Sequence, residues 1–128
     1  MAGTVDIVVV VTTGKQDRGA RVTLALSWAL AALALGRSVT LFFTMDGTEW
    51  MMRGAMRDVQ VAGYEPVLTY FEQFVLLGGQ TVVCAPCSEF FCRYDRKAVL
   101  DSVIPEASLG GLSTVVSMVA RGTSVVTF

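Results

Sequence analysis

The 128-residue sequence contains no histidine, and that absence narrows the chemistry open to it. Without imidazole there is no Ser-His-Asp or Cys-His catalysis, no histidine general base near neutral pH and no imidazole-ligated zinc. Charge is scarce as well. Asp, Glu, Lys and Arg make up 16% of the chain, against about 25% in an average soluble domain. The 10 basic and 11 acidic residues nearly cancel, to a net charge of −1. So small a positive charge excludes a general nucleic-acid binder, whose affinity rests on many basic contacts to phosphate. Long apolar runs are missing too. The longest, Val22 to Leu35 between Arg21 and Arg37, is shorter than the ~20 residues that cross a bilayer, so membrane insertion is not expected. The N-terminal Met1-Ala-Gly-Thr-Val-Asp-Ile has no basic segment ahead of its apolar stretch. That speaks against a secretory signal and for a cytoplasmic protein whose cysteines stay reduced.

What is abundant is apolar material, 53% of the residues. That excludes a disordered chain. The length fits one domain spanning residues 1–128. With so few charged side chains to cover its surface, a domain of this size leaves apolar patches exposed, and a homo-oligomer is expected.

The β-branched run Val5 to Val11 reads as a strand buried on both faces. A loop over Thr12 to Asp17 leads to an Ala/Leu-rich helix from about Gln16 to Leu35, stopped by Gly36. Val39 to Phe43 is a second buried strand, broken by Asp46-Gly47, after which Thr48 can cap a short helix reaching about Met56. Arg57 to Pro66 reads as a surface loop, Val67 to Leu77 as a helix ended by Gly78-Gly79, and Gln80 to Cys84 as a third strand. Pro86 opens a further helix, Ala98 to Val103 adds a turn or two, and Ile104 to Ser108 is a loop. Leu109 to Arg121 reads as a helix and Thr123 to Phe128 as a last strand. Strands alternating with helices give a parallel sheet covered on both faces, a three-layer α/β domain.

In such sheets ligands bind beyond the carboxyl ends of the strands. Three segments of interest fall there. The most specific is Cys84-Ala-Pro-Cys87. Cys84 sits where a strand ends and a helix begins, so amides of the helix N-terminus can stabilise its thiolate, and an exposed thiolate can hold sulfane sulfur as persulfide. Cys87 can pair with Cys84 in a disulfide or assist in handling sulfur. The competing reading makes Cys84 a small buried residue, Cys87 a residue of the first helical turn and Cys92 part of the core. The Cys-x2-Cys-x4-Cys spacing offers no fourth ligand, so no metal site and no cofactor are expected. The second segment is Thr13-Gly14-Lys15, where loop amides can bind an anion, although no P-loop pattern is present. The third, Thr44 to Trp50, holds Met45, Asp46, Gly47 and Trp50. Met45 and Trp50 can wall an apolar pocket beside Cys84, and Asp46 and Glu49 serve as helix caps or as an acid/base pair.

Taken in order, these pieces resemble the DsrE/DsrF-like sulfur-relay family, which includes the TusD-type sulfurtransferase subunits. The residues that carry the resemblance are the Val-rich first strand with Thr12-Thr-Gly-Lys, Ala34-Leu-Gly-Arg-Ser-Val39 running into Leu41-Phe-Phe43, and Asp46-Gly47. Leu77-Gly-Gly-Gln-Thr-Val-Val-Cys84, Gly111-Leu-Ser-Thr-Val-Val and the closing Ser124-Val-Val-Thr-Phe128 complete it. The resemblance implies a mostly parallel five-stranded sheet, trimers or hexamers, and sulfur transfer through a cysteine persulfide, with other sulfur-relay proteins as partners. By residue match the sulfur-carrying cysteine is Cys84. Cys87 makes a Cys-x2-Cys that many relatives lack, which leaves a thiol–disulfide oxidoreductase as an alternative. Some members have no active cysteine, which leaves a non-catalytic oligomeric scaffold or small-ligand-binding subunit as another.

Overall fold

The computed structural model describes residues 3–91 and 96–128. Its centre is a sheet of β1 (Ile7–Val11), β2 (Val39–Phe43), β3 (Gln80–Cys84), β4 (Ser108–Gly110) and β5 (Ser124–Thr127), in the order β4-β3-β2-β1-β5. Every pairing is parallel, with Ile7 level with Val39, Leu41 with Thr81 and Val83 with Leu109. The β-branched and aromatic residues of β1 and β2 suit such a sheet, because both faces of a parallel strand are covered by the crossovers that connect it. Val8, Val9, Val11, Leu41 and Phe43 are fully buried, and each such side chain contributes roughly 1.5–3 kcal/mol of transfer free energy.

One face carries α1 (Ala20–Ala34) and α2 (Val67–Leu76). Val22, Ala25, Leu26 and Ala29, at helical spacing, pack with Phe71 and Phe74 over Val9, Val11, Leu41 and Phe43. The other face is covered more thinly. There Val8, Phe42, Val82 and Cys84 meet Val115 of α5 (Leu112–Val116) and the following Met118. Leu112, Val116 and Val119 point away from this second core and are exposed. Two further helices, α3 (Ala85–Phe91) and α4 (Arg96–Ser102), link β3 to β4. Among the described residues no helix is long and apolar enough to cross a membrane.

Three elements differ from the sequence expectation. The first helix starts at Ala20 rather than near Gln16, because Arg18 (φ 60°) and Gly19 (φ 90°) are left-handed and interrupt it after a 3-10 turn at Lys15–Asp17. Asp17 bridges the break, accepting the Gly19 and Arg21 amides at 3.1 and 2.9 Å. The helix expected from Thr48 to Met56 is a 3-10 segment, Met45–Met51, in which the Thr48 hydroxyl donates back to the Met45 carbonyl at 2.9 Å instead of capping a turn ahead. Ser108 and Leu109 were expected at the boundary of a loop and a helix running to Arg121. Instead Ser108–Gly110 pairs with β3 at the sheet edge, and the helix after it is only Leu112–Val116. A strand of three residues is too short to carry a period of two, and its edge pairing is a tertiary event.

Candidate functional site: a thiol pair at the end of the third strand

Strand β3 ends at Cys84 and α3 begins with the next residue, so the chain turns over the strand end and brings Cys87 back above it. The buried Ser88 hydroxyl donates to the Cys84 carbonyl at 2.9 Å and pins this first turn. The Cys84 thiol donates to Cys87 Sγ at 2.8 Å, and the Cys87 amide points back at Cys84 Sγ at 3.4 Å. Both thiols are free.

The third member of the site comes from the neighbouring strand. Because β2 pairs with β3 in parallel, with Phe43 level with Val83, the two chain segments leave the sheet side by side. Thr44, the residue after β2, places its hydroxyl 3.4 Å from Cys87 Sγ. Met45 is left-handed at φ 52°, a conformation that costs a residue with a side chain on the order of 1 kcal/mol. Its backbone N–H favours the anionic form of Cys87. Gly47 completes the turn: its amide donates to the Thr44 carbonyl at 2.9 Å, and a side chain here would run into the Val11 carbonyl.

The two sulfurs are not equivalent. Cys84 is the strand's final inward residue, on the same face as Val82, and only 7% exposed. Burial pushes its thiol up from the ordinary range, and the hydrogen bond it donates to Cys87 adds to that; the Cys87 amide and Thr44 hydroxyl act the other way and lose. For Cys87, partial burial also opposes the anion, but the Cys84 thiol, the Thr44 hydroxyl and the Met45 amide outweigh it, and its thiol is pulled down. These opposite directions favour the anion on Cys87. The strand's alternation turns Cys84 inward, and the donors collect on Cys87. A thiolate, not a thiol, is the nucleophile in sulfur chemistry.

The remaining sequence candidates form a separate locus at the end of β1. Lys15's amide donates to the Glu49 carboxylate, so a negative group of the protein itself occupies that loop donor. Gly14 lies under the same carboxylate, with no room for a side chain. Trp50 is fully buried in the α1/α2 core, on the opposite face of the sheet from Cys84. Its indole N–H donates to the Thr13 carbonyl at 2.9 Å, and the Lys15 ammonium stands 5.7 Å from the ring centroid. The structure thus brings Met45 to the thiols and leaves Trp50, Thr13, Gly14 and Lys15 in the adjoining loop. Asp46 is exposed, and Glu49 turns to the β1 loop rather than to Asp46. Cys92, expected in the core, lies outside the described residues. Among the described residues, no three Cys, Asp or Glu side chains come together as a metal site. A groove of about 450 Å³ lies elsewhere, between α2 and the segment around Met52 and Met56, and is lined by none of the candidate residues.

Thr44 opens one of the three segments that the sequence singles out, but its contact with Cys87 is not foreseen there. Its position one past a strand end is a signal only once β2 and β3 are known to be neighbours.

The model of the DsrE/DsrF-like family matches residues 6–128. Two solved structures share the fold. The ychN protein from E. coli is 17% identical, with both chains covered over 100% of their length and a TM-score of 0.72. A conserved protein of unknown function, BT1422 from Bacteroides thetaiotaomicron, is 11% identical, with 96% of this chain and 95% of that one covered and a TM-score of 0.62. No curated protein matches the sequence. The chain belongs to the DsrE/DsrF-like family, which is generally tied to sulfur relay.

Proposed function

From that membership we propose that the protein is a sulfur carrier that accepts persulfide sulfur, and that the accepting atom is Cys87 Sγ rather than Cys84 Sγ. The observation that supports this most is the contact of the Cys87 sulfur with the Cys84 thiol at 2.8 Å and the Thr44 hydroxyl at 3.4 Å. They stabilise a thiolate on the more accessible of the two cysteines. In the charging step the Cys87 thiolate attacks the outer sulfur of a donor persulfide, R–S–SH. A new S–S bond forms, the old one breaks with its electron pair on R–S⁻, and the transferred sulfur keeps its oxidation state. Met45 and Asp46, both exposed just past Thr44, form the rim that a donor meets. Thr13, Gly14, Lys15 and Trp50 keep the adjoining loop in shape.

The assembly proposed is a homo-oligomer, a trimer or hexamer, that receives sulfur from and passes it to other sulfur-relay proteins in the cytoplasm. The exposed Leu112, Val116 and Val119 supply apolar surface of the kind that copies of a chain cover. The direct test is intact mass after incubation with a low-molecular-weight persulfide. A Cys84→Ser chain is expected to gain about 32 Da on Cys87, located by peptide mapping, and a Cys87→Ser chain to gain nothing at either position. A Cys84→Ser chain that stays unloaded overturns the carrier.

A further inference from the structure

A carrier that only holds sulfur needs one thiol, and this chain places a second thiol in contact with the first. Cys84 Sγ lies 2.8 Å from Cys87 Sγ with its S–H directed at it. Cys84 is only 7% exposed, yet already beside the atom that becomes the inner sulfur of a Cys87 persulfide. A disulfide needs its sulfurs at about 2.05 Å, so closing the pair requires a shift of under 1 Å.

Resting on the carrier reading, we infer that Cys84 is a resolving thiol: it discharges the Cys87 persulfide as hydrosulfide and leaves a Cys84–Cys87 disulfide, so that the protein acts as a dithiol persulfide reductase. Starting from Cys87–S–S⁻, the Cys84 sulfur attacks Cys87 Sγ while its proton passes to the outer sulfur. The bond between the two cysteine sulfurs forms, and the bond to the outer sulfur breaks with its electron pair on that sulfur, which departs as HS⁻. The sulfane sulfur is reduced by two electrons and the two cysteines are oxidised by two. An external dithiol then reduces the disulfide by exchange and restores both thiols.

Two physical facts favour this route when no acceptor protein is bound. Attack by Cys84 is intramolecular, and well-oriented intramolecular reactions reach effective molarities of about 10⁵ M or more, far above any partner's concentration. The division of labour between the sulfurs also fits. Burial keeps Cys84 protonated and unreactive towards outside persulfides, while the donors on Cys87 make it the charging atom. Cys84 thereby carries the proton that the departing sulfur takes.

The experiment is a single turnover with the reduced full chain and one equivalent of cysteine persulfide, reading intact mass and free hydrosulfide together. Wild type is expected to end about 2 Da lighter, with the loss mapped to a Cys84–Cys87 disulfide, and to release about one equivalent of hydrosulfide beyond the donor alone. Dithiothreitol restores the mass and permits a second turnover. Cys84→Ser is expected to stop at the stage about 32 Da heavier and release none. Wild type that retains the added sulfur and forms no disulfide overturns the resolving role and leaves the carrier standing. Cys84→Ser that takes up no sulfur overturns the carrier itself.

Discussion

The loop after β1 and the loop after β3 leave the same end of the sheet, and they dispose of their polar groups in opposite ways. The first is closed by side chains of the segment after β2. Lys15's amide is taken by Glu49, Thr13's carbonyl by the Trp50 indole, and the Lys15 ammonium stands over the Trp50 ring. The second turns its polar groups towards a pair of sulfurs. Cys87 Sγ accepts from the Cys84 thiol and lies 3.4 Å from the Thr44 hydroxyl, while the Cys87 amide points back at Cys84 Sγ. The first is a loop held in shape by a neighbouring segment. The second brings two thiols and a hydroxyl within contact of one another. The left-handed Met45 at φ 52° falls in the second kind, where backbone strain is held for an orientation.

The largest expected effect on this contrast comes from the sulfur itself. Cys87→Ser is expected to lower alkylation within the β3 loop by about tenfold or more at pH 7, as read by peptide mass, because the remaining thiol is buried and protonated. Trp50→Ala attacks the other loop. Removing a fully buried indole is expected to cost about 3–5 kcal/mol of stability in a denaturant titration. At low denaturant, where the chain is folded, the Cys87 alkylation rate should hold. A large change in that rate would mean that the two loops are one coupled site.

Thr44→Val is the finer test of the donors. Losing a hydrogen bond to a charged sulfur, worth about 1 kcal/mol in so accessible a place, moves the Cys87 thiol back up towards its ordinary range. At neutral pH this leaves less thiolate, so alkylation slows severalfold and its pH profile shifts to higher pH. An unshifted profile removes Thr44 from the site. The smallest effect belongs to Glu49→Gln. The amide oxygen can still accept the Lys15 N–H, so stability should change by under about 1 kcal/mol; a larger loss would show that the carboxylate's charge itself holds the loop.

Much of this was visible before any coordinates. The run of β-branched residues at β1, the glycines that end the helices and the cysteine at a strand-to-helix junction are local signals, and each marks its element. What escaped is tertiary. The three residues of β4 carry no period, and Thr44 becomes a site residue only because β2 lies beside β3. The roles of the cysteines sit between these cases. In a sheet covered on both faces, alternation from Val82 turns Cys84 inward, a consequence of period two. Thr44 and Met45, which favour charge on Cys87, are distant in sequence.

The asymmetry of the two thiols is tested most directly by limited alkylation. The reduced wild-type chain, treated with less than one equivalent of iodoacetamide at pH 7, is digested and the adducts are assigned to individual cysteines. Of the pair, Cys87 is predicted to carry the adduct while Cys84 stays unmodified. An adduct that forms first on Cys84 contradicts the assignment.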